Sequence, residues 1–179
     1  LKQYRYLLSD SRIKDVINKQ VEIFDSTTIG LFQDIMKCVG RKPKNGKHKG
    51  GIKVHTIINV DEIVPKMIWF TNASTNDHVL LNKLRLDSNT IYVFDKGYND
   101  YKVFKLLDDN KTCFVTRIKN NAVYQTVKNH KIEDNIHSGV LEDTIIELTV
   151  NNESNSKLRL RKIKFYDRVL KREFEFISN

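Results

Sequence analysis

The amino-acid sequence predicts an α/β fold, with a mixed sheet, flanking helices and a C-terminal β-rich stretch. Three observations carry that expectation. Short runs of β-branched and aromatic residues recur between turn-type residues. Up to residue 118 the elements come in the order strand, hairpin, helix, strand, helix, strand, an order in which the helix-linked strands can lie parallel to the first. After Asn120 the pattern changes to segments of period-two alternation.

Residues 1–20 are mixed and polar, with Tyr4, Leu7, Leu8, Ile13, Val16 and Ile17 at spacings that suit a short helix. Val21-Glu22-Ile23-Phe24 is a short strand, closed by the polar cluster Asp25-Ser26-Thr27-Thr28. Gly40 to Gly51 carries too much Gly, Pro and Asn for a regular element and reads as a basic loop. Ile52, Val54, Thr56 and Ile58 alternate with Lys53, His55 and Asn59, and Val60-Asp61-Glu62 turns the chain into Ile63 to Phe70, which makes a β-hairpin. Capping-type Ser74, Asn76 and Asp77 precede Val79, Leu80, Leu81, Leu84 and Leu86, predicting a helix over 75–86. Thr90 to Phe94 is apolar enough for a strand buried on both faces and ends on Asp95. Lys96-Gly97-Tyr98 then leads into a helix containing Tyr101, Phe104, Leu106 and Leu107, stopped by Asp108-Asp109-Asn110, and Thr112 to Ile118 is a further buried strand. Ile145 to Val150, Lys157 to Tyr166 and Val169 to Ile177 read as three antiparallel strands. The chain therefore divides into a core over 1–120 and a β-rich insertion over 121–179, the latter readable also as an extension of the sheet.

The 179 residues are 40% hydrophobic and 30% charged with 7 Gly and 2 Pro, which fits one compact domain and excludes disordered or collagen-like chains. Lys and Arg outnumber Asp and Glu by 31 to 22, a net charge of +9 that attracts polyanions, nucleic acid or an anionic membrane surface above all. No apolar run reaches the roughly 18 to 20 residues a membrane span requires, and the sequence reads as that of a soluble intracellular protein. Cys38 and Cys113 show no metal or disulfide spacing and read as structural, and the five histidines form no ligand pattern. The chain opens on Leu1 rather than Met, which leads to the expectation that it is a piece of a longer protein.

Asp25 and Asp95 each close a strand expected near the centre of the sheet. If those strands are parallel neighbours, both carboxylates emerge at one sheet edge, where ligands of open α/β sheets bind. Oxygen ligands suit Mg²⁺ or Mn²⁺, and the chemistry such a pair supports is metal-assisted phosphodiester cleavage. The plainer alternative is that Asp25 caps a turn and Asp95 caps the following helix.

Three blocks sharpen this: Phe24-Asp25-Ser26-Thr27-Thr28-Ile29, Gly51-Ile52-Lys53-Val54-His55, and Tyr92-Val93-Phe94-Asp95-Lys96-Gly97-Tyr98. In that order they resemble the catalytic core of bacterial insertion-sequence transposases of the DDE type, in the branch with the Tyr-Arg-Glu-Lys signature. The resemblance covers about residues 20–120. It implies a ribonuclease H-like fold in which Asp25 and Asp95 match the first two catalytic, metal-binding carboxylates, with residues 121–177 as the insertion before the third. It further implies two Mg²⁺ or Mn²⁺ ions in the complete enzyme, double-stranded DNA at transposon ends and target as partner, a homodimer in the synaptic complex, no membrane, and a cytoplasmic, nucleoid-associated location in a bacterium. The third carboxylate of the pattern, a Glu on a helix, has no match here. Tyr166 is followed seven residues on by Glu173, but Val169 stands where Arg belongs and the segment alternates as a strand does. The chain is thus expected to stop short of the Glu helix and to be inactive alone.

Two basic segments are candidate DNA contacts. From Asp34 to Asp61 no acidic residue intervenes among Lys37, Arg41, Lys42, Lys44, Lys47, Lys49 and Lys53, and such a glycine-rich loop can follow a phosphate backbone. Lys53 contacts phosphate if its strand face looks toward the aspartates, and is otherwise an exposed edge residue. In the second segment Lys157, Arg159 and Arg161 alternate with Leu158 and Leu160, and Lys162, Lys164, Arg168, Lys171 and Arg172 follow, with Asp167 the only acid among them. A flat positive strand face suits DNA, while edge-strand protection by lysine is the plainer reading. Lys96 and Tyr98 are phosphate or supporting contacts beside Asp95, with plain helix packing as the alternative for Tyr98. The rivals to a transposase core are a ribonuclease H-like nuclease that cuts without joining, and a non-catalytic DNA-binding β-module.

Overall fold

The computed structural model describes residues 19–30, 51–81, 84, 86–132, 139–151 and 156–179. The helix expected within residues 1–20 and the basic loop with Arg41, Lys42, Lys44, Lys47 and Lys49 lie outside them. The described strands are β1 (Gln20–Gly30), β2 (Gly51–Asn59), β3 (Val64–Asn72), β4 (Thr90–Phe94), β5 (Cys113–Arg117), β6 (Tyr124–Asn129), β7 (Val140–Asn151), β8 (Ser156–Asp167) and β9 (Arg172–Ser178). The helices are α1 (His78–Leu81) and α2 (Tyr101–Asp109), with one 3₁₀ turn at Lys96–Tyr98.

All these strands join one sheet in the order β3-β2-β1-β4-β5-β9-β8-β7-β6. β1, β4 and β5 run parallel, and every other neighbouring pair is antiparallel. The parallel centre has the reason given by the sequence, because each crossover between those strands passes through a helical segment. β6 to β9 continue the sheet through β9, which pairs Thr116 with Ile177 and Arg117 with Phe176.

Strand alternation gives the sheet a packed face and an open one. Phe24, Tyr92, Phe94, Phe114, Ile177, Leu160, Leu158, Ile146 and Leu148 point to the packed face, where Val103, Phe104 and Leu107 of α2 cover them. Phe94 lies at the centre, its ring 5.9 Å from that of Phe114 and 5.8 Å from that of Phe104. α2 starts where Asp100 accepts hydrogen bonds from the backbone N–H groups of Lys102 and Val103, an N-cap the apolar spacing alone does not reveal.

Several elements differ from the sequence expectation. β1 does not stop at Phe24 but runs to Gly30, because its polar half pairs with β2 from Asp25↔Thr56 to Gly30↔Gly51. The helix expected over 75–86 is described only over His78–Leu81. β6 was not expected, and β7 begins at Val140 rather than Ile145. Val169 lies in the turn before β9, where Asp167 accepts from the N–H groups of Val169 and Leu170. On β2 the face bearing Lys53, His55 and Asn59 is the more deeply covered one, the reverse of the usual apolar-in pattern.

Truncating the central ring tests this core. Phe94→Ala is expected to cost about 3–5 kcal/mol of unfolding free energy in urea titration. Ile23→Ala on the open face, where the side chain is 40% exposed, is expected to cost about 1 kcal/mol or less.

Candidate active site

The parallel ladder fixes the geometry. Its last registered pairs are Phe24↔Phe94 between β1 and β4, and Phe94↔Thr116 between β4 and β5. One residue further along each chain stand Asp25, Asp95 and Arg117. Successive side chains alternate between faces, so the three form a row across the open face, opposite the phenylalanines. Asp25 and Asp95 are both exposed. The parallel arrangement read from the sequence is therefore present, with the difference that Asp25 sits inside β1 rather than at its end.

Arg117 holds Asp95. Its Nε donates to Asp95 Oδ1 at 2.9 Å, and Nη2 donates to the same oxygen. Burial pushes the Asp95 carboxyl upward, but the Arg117 hydrogen bond, the Lys96 backbone N–H and the charges of Arg117 and Lys96 outweigh it. The group is held below the usual carboxylate range. Arg117 is itself anchored through its main chain, since Asn99 Nδ2 donates to the Arg117 carbonyl at 3.0 Å while Asn99 Oδ1 accepts from Thr116 Oγ1 at 3.2 Å. Asp95 does not cap the 3₁₀ turn through its side chain, so the capping role is excluded there. The Asp25 carboxylate accepts from the N–H of Ser26 at 2.8 Å.

Behind this row, on the packed face, lies a polar cluster. Asp77 Oδ1 accepts from Ser26 Oγ and from Lys53 Nζ, each at 2.9 Å, and Lys53 Nζ also donates to the Thr75 carbonyl at 2.6 Å. Lys53 thus takes neither position the sequence left open. Its ammonium is 7% exposed as a residue and paired with a carboxylate, so it is no exposed edge residue and does not reach a phosphate on the open face. Burial keeps His55 below its ordinary pKa, Asp77 opposing and Lys53 adding to the effect, and its Nε2 meets Thr71 Oγ1 at 2.8 Å. Tyr98 is 1% exposed, so it is packed rather than offered to a ligand. Burial raises its hydroxyl well above the ordinary range, a nearby Ser26 partly offsetting this, and Asp77, Asp25 and Asp95 all add to the rise.

The expected cationic strand face is largely neutralised across strands. Glu147 on β7 accepts from Lys157 at 2.7 Å and Arg159 at 3.0 Å, while Arg161 makes a two-pronged bond to Asp143 at 2.9 and 2.6 Å. Lys164 pairs with Glu173 at 2.7 Å. β8 lies between β7 and β9, which rules out edge protection as the reason for its lysines. Glu173 belongs to a strand and not to a helix. A cleft of about 400 Å³ is bordered by Lys96, Arg117, Lys164 and Arg172 together with Glu173 and Glu175.

Asp25 and Asp95 offer the hard oxygen ligands a divalent cation takes, and Asp95 Oδ2 is left clear by Arg117. Among the described residues no group of three or more His, Cys, Asp or Glu gathers to hold a metal. Two residues of consequence were not singled out by sequence. Arg117 has a visible signal, a lone cation closing the run Cys-Phe-Val-Thr-Arg, whereas Asp77 looks like any helix cap.

The fold and site are those of a mixed α/β domain with two acidic side chains just past the end of a parallel strand pairing, and the chain belongs to the transposase DDE domain family, whose model matches residues 18–174. It is similar to a protein of Sinorhizobium fredii named "Putative transposase y4zB", 29% identical over 145 residues. That match takes in 80% of this chain and 39% of the relative, so the chain spans about two fifths of the relative's length. The resemblance drawn from the Asp25, Gly51 and Asp95 blocks is borne out at the level of the family. Among the described residues no helix is long and apolar enough to cross a membrane.

Because folding lowers the Asp95 pKa, the Arg117 pair adds stability above the unfolded pKa and loses it as pH falls through the folded one. Arg117→Ala is expected to raise the Asp95 midpoint in a carboxyl ¹³C NMR titration. Both partners are more than one-third exposed, so the stability change should stay within about 1 kcal/mol.

Proposed function

We propose that the chain is the catalytic core of a DNA transposase with a ribonuclease H-like fold. Supporting the fold is the β3-β2-β1-β4-β5 half of the sheet, with β1, β4 and β5 parallel and β2 and β3 antiparallel. In this reading β6–β9 are the insertion that precedes the third acidic residue. The observation that carries the chemistry is the row of Asp25, Asp95 and Arg117 one step past the parallel ladder.

Asp25 and Asp95 are the metal ligands, joined in the intact enzyme by the Glu of the family's pattern from beyond these residues. The open face of β1–β3 beside Asp25 exposes Ile23, Ile29, Ile68 and Phe70, an apolar bed suited to a helix that would carry it. Mg²⁺ or Mn²⁺, two ions in the complete site, supplies charge for the scissile phosphate and lowers the pKa of an attacking water. Arg117 keeps Asp95 ionised and steers which of its oxygens stays open. Lys96 and Arg172, on the cleft of about 400 Å³, offer cations to the DNA backbone, whereas Lys164 and Arg117 there are already paired with Glu173 and Asp95. The reaction is hydrolysis at the element's end followed by attack of the freed 3′-hydroxyl on target DNA. Without the Glu, the chain alone binds metal weakly and cuts poorly.

Calorimetric Mn²⁺ titration tests the site. Binding lost on Asp25→Asn or Asp95→Asn, at unchanged melting temperature, is the expected result, whereas identical isotherms would leave a DNA-binding β-module. Duplex DNA binding checks the approach surface. Lys96→Ala and Arg172→Ala together are expected to lower the slope of log K against log salt by about 1 to 2. A slope unchanged by both would place the DNA elsewhere.

A further inference from the structure

The metal site as proposed needs Asp25 and Asp95 at a fixed separation, yet the β1–β4 ladder that aligns them ends at Phe24↔Phe94. Beyond that pair β1 follows β2 alone, and the chain after Phe94 leaves the sheet at Asp95 for the 3₁₀ turn. Backbone pairing therefore stops one residue before the residues that must be held together.

Asp77 stands where the missing tie would be. It reaches Ser26, the residue after Asp25, through a 2.9 Å hydrogen bond to its hydroxyl. On the other side it packs beside Gly97 of the 3₁₀ turn that follows β4, two residues after Asp95, where an added Cβ would stand 3.0 Å from Asp77 Oδ2. Lys53 of β2, 7% exposed, compensates its charge at 2.9 Å and ties the same carboxylate to the Thr75 carbonyl. With Oδ1 accepting from two donors on the packed face, Asp77 is turned away from the open row and is no member of it.

We infer that Asp77 is a positioning residue, a carboxylate clasp hydrogen-bonded to β1 at Ser26 and packed against the turn that follows β4, and that it so sets the spacing of Asp25 and Asp95 for a divalent cation. Lys53 keeps that clasp charge-balanced, which explains why a lysine on β2 faces inward. A side chain at Gly97 would crowd Asp77 Oδ2. This inference rests on the metal-site reading of Asp25 and Asp95.

The test is Mn²⁺ titration of the whole chain carrying Asp77→Ala, Asp77→Asn or Ser26→Ala, with Asp25→Asn as reference and thermal melting of each. Asp77→Ala is expected to weaken Mn²⁺ at least tenfold. Asp77→Asn still accepts from Ser26 but leaves buried Lys53 without its counter-charge, and should weaken Mn²⁺ clearly less than Asp77→Ala. Ser26→Ala removes one arm of the clasp by a small change in a partly exposed residue, and should weaken Mn²⁺ about threefold even if Asp77→Ala fails to fold. Parent-like affinity in Ser26→Ala and in folded Asp77→Ala, with Asp25→Asn still abolishing binding, overturns the clasp and leaves the metal site standing. Equal weakening by Asn and Ala also overturns it, because charge and not hydrogen bonding would then be at work. Binding indifferent to Asp25→Asn overturns the metal site and the clasp with it.

Discussion

The structure depends on the parallel register of three short strands. Phe24, Phe94 and Thr116 share one level of β1, β4 and β5, and everything at the candidate site follows from being one residue beyond that level. The same alternation that turns the two phenylalanines into the core turns Asp25, Asp95 and Arg117 outward. Packing and chemistry are thus two faces of one constraint: the aromatic stack that fixes the strands also sets which face Asp25 and Asp95 occupy. A slip of one residue in either strand would bury an aspartate and expose a phenylalanine, so the register is strongly specified.

Charge is arranged on the same plan. The excess of +9 suggests a uniformly positive surface, but the cations of β8 mostly face carboxylates on β7 and β9. Even buried Lys162 lies between Glu142 at 3.0 Å and Glu175 at 3.5 Å, with the Tyr124 hydroxyl at 3.2 Å. Such pairs stitch the long antiparallel strands in register more than they present charge to a partner. Among the described residues, Lys96 and Arg172 line a cleft that Glu173 and Glu175 also border.

Much of this was legible in the sequence, and the failures have physical reasons. Buried runs such as Thr90–Phe94, the β2–β3 hairpin and helix α2 declared themselves by period and turn residues. Asp25 and Asp95 stood out because each follows such a run and because the blocks around them resemble a family. The second half of β1 was invisible, since Asp25-Ser26-Thr27-Thr28 has the composition of a strand end and is kept extended by its pairing with β2. Period two revealed that Lys53 and His55 share a face but not that segment 73–77 covers it. The neutralising partners of Arg159 and Arg161 lie 12 and 18 positions away on β7, beyond any local pattern. Asp77 looked like a cap because its real partners, Ser26 and Lys53, are 51 and 24 positions distant.

The central claim is that Asp25 and Asp95 form one site for a divalent cation. The most direct measurement is an anomalous difference map from crystals of this chain soaked in Mn²⁺. The account expects a peak between the two carboxylates, touching Asp25 and the Asp95 oxygen that Arg117 leaves clear. No peak there, or manganese only at other acidic side chains such as Glu142 and Glu175, would contradict it.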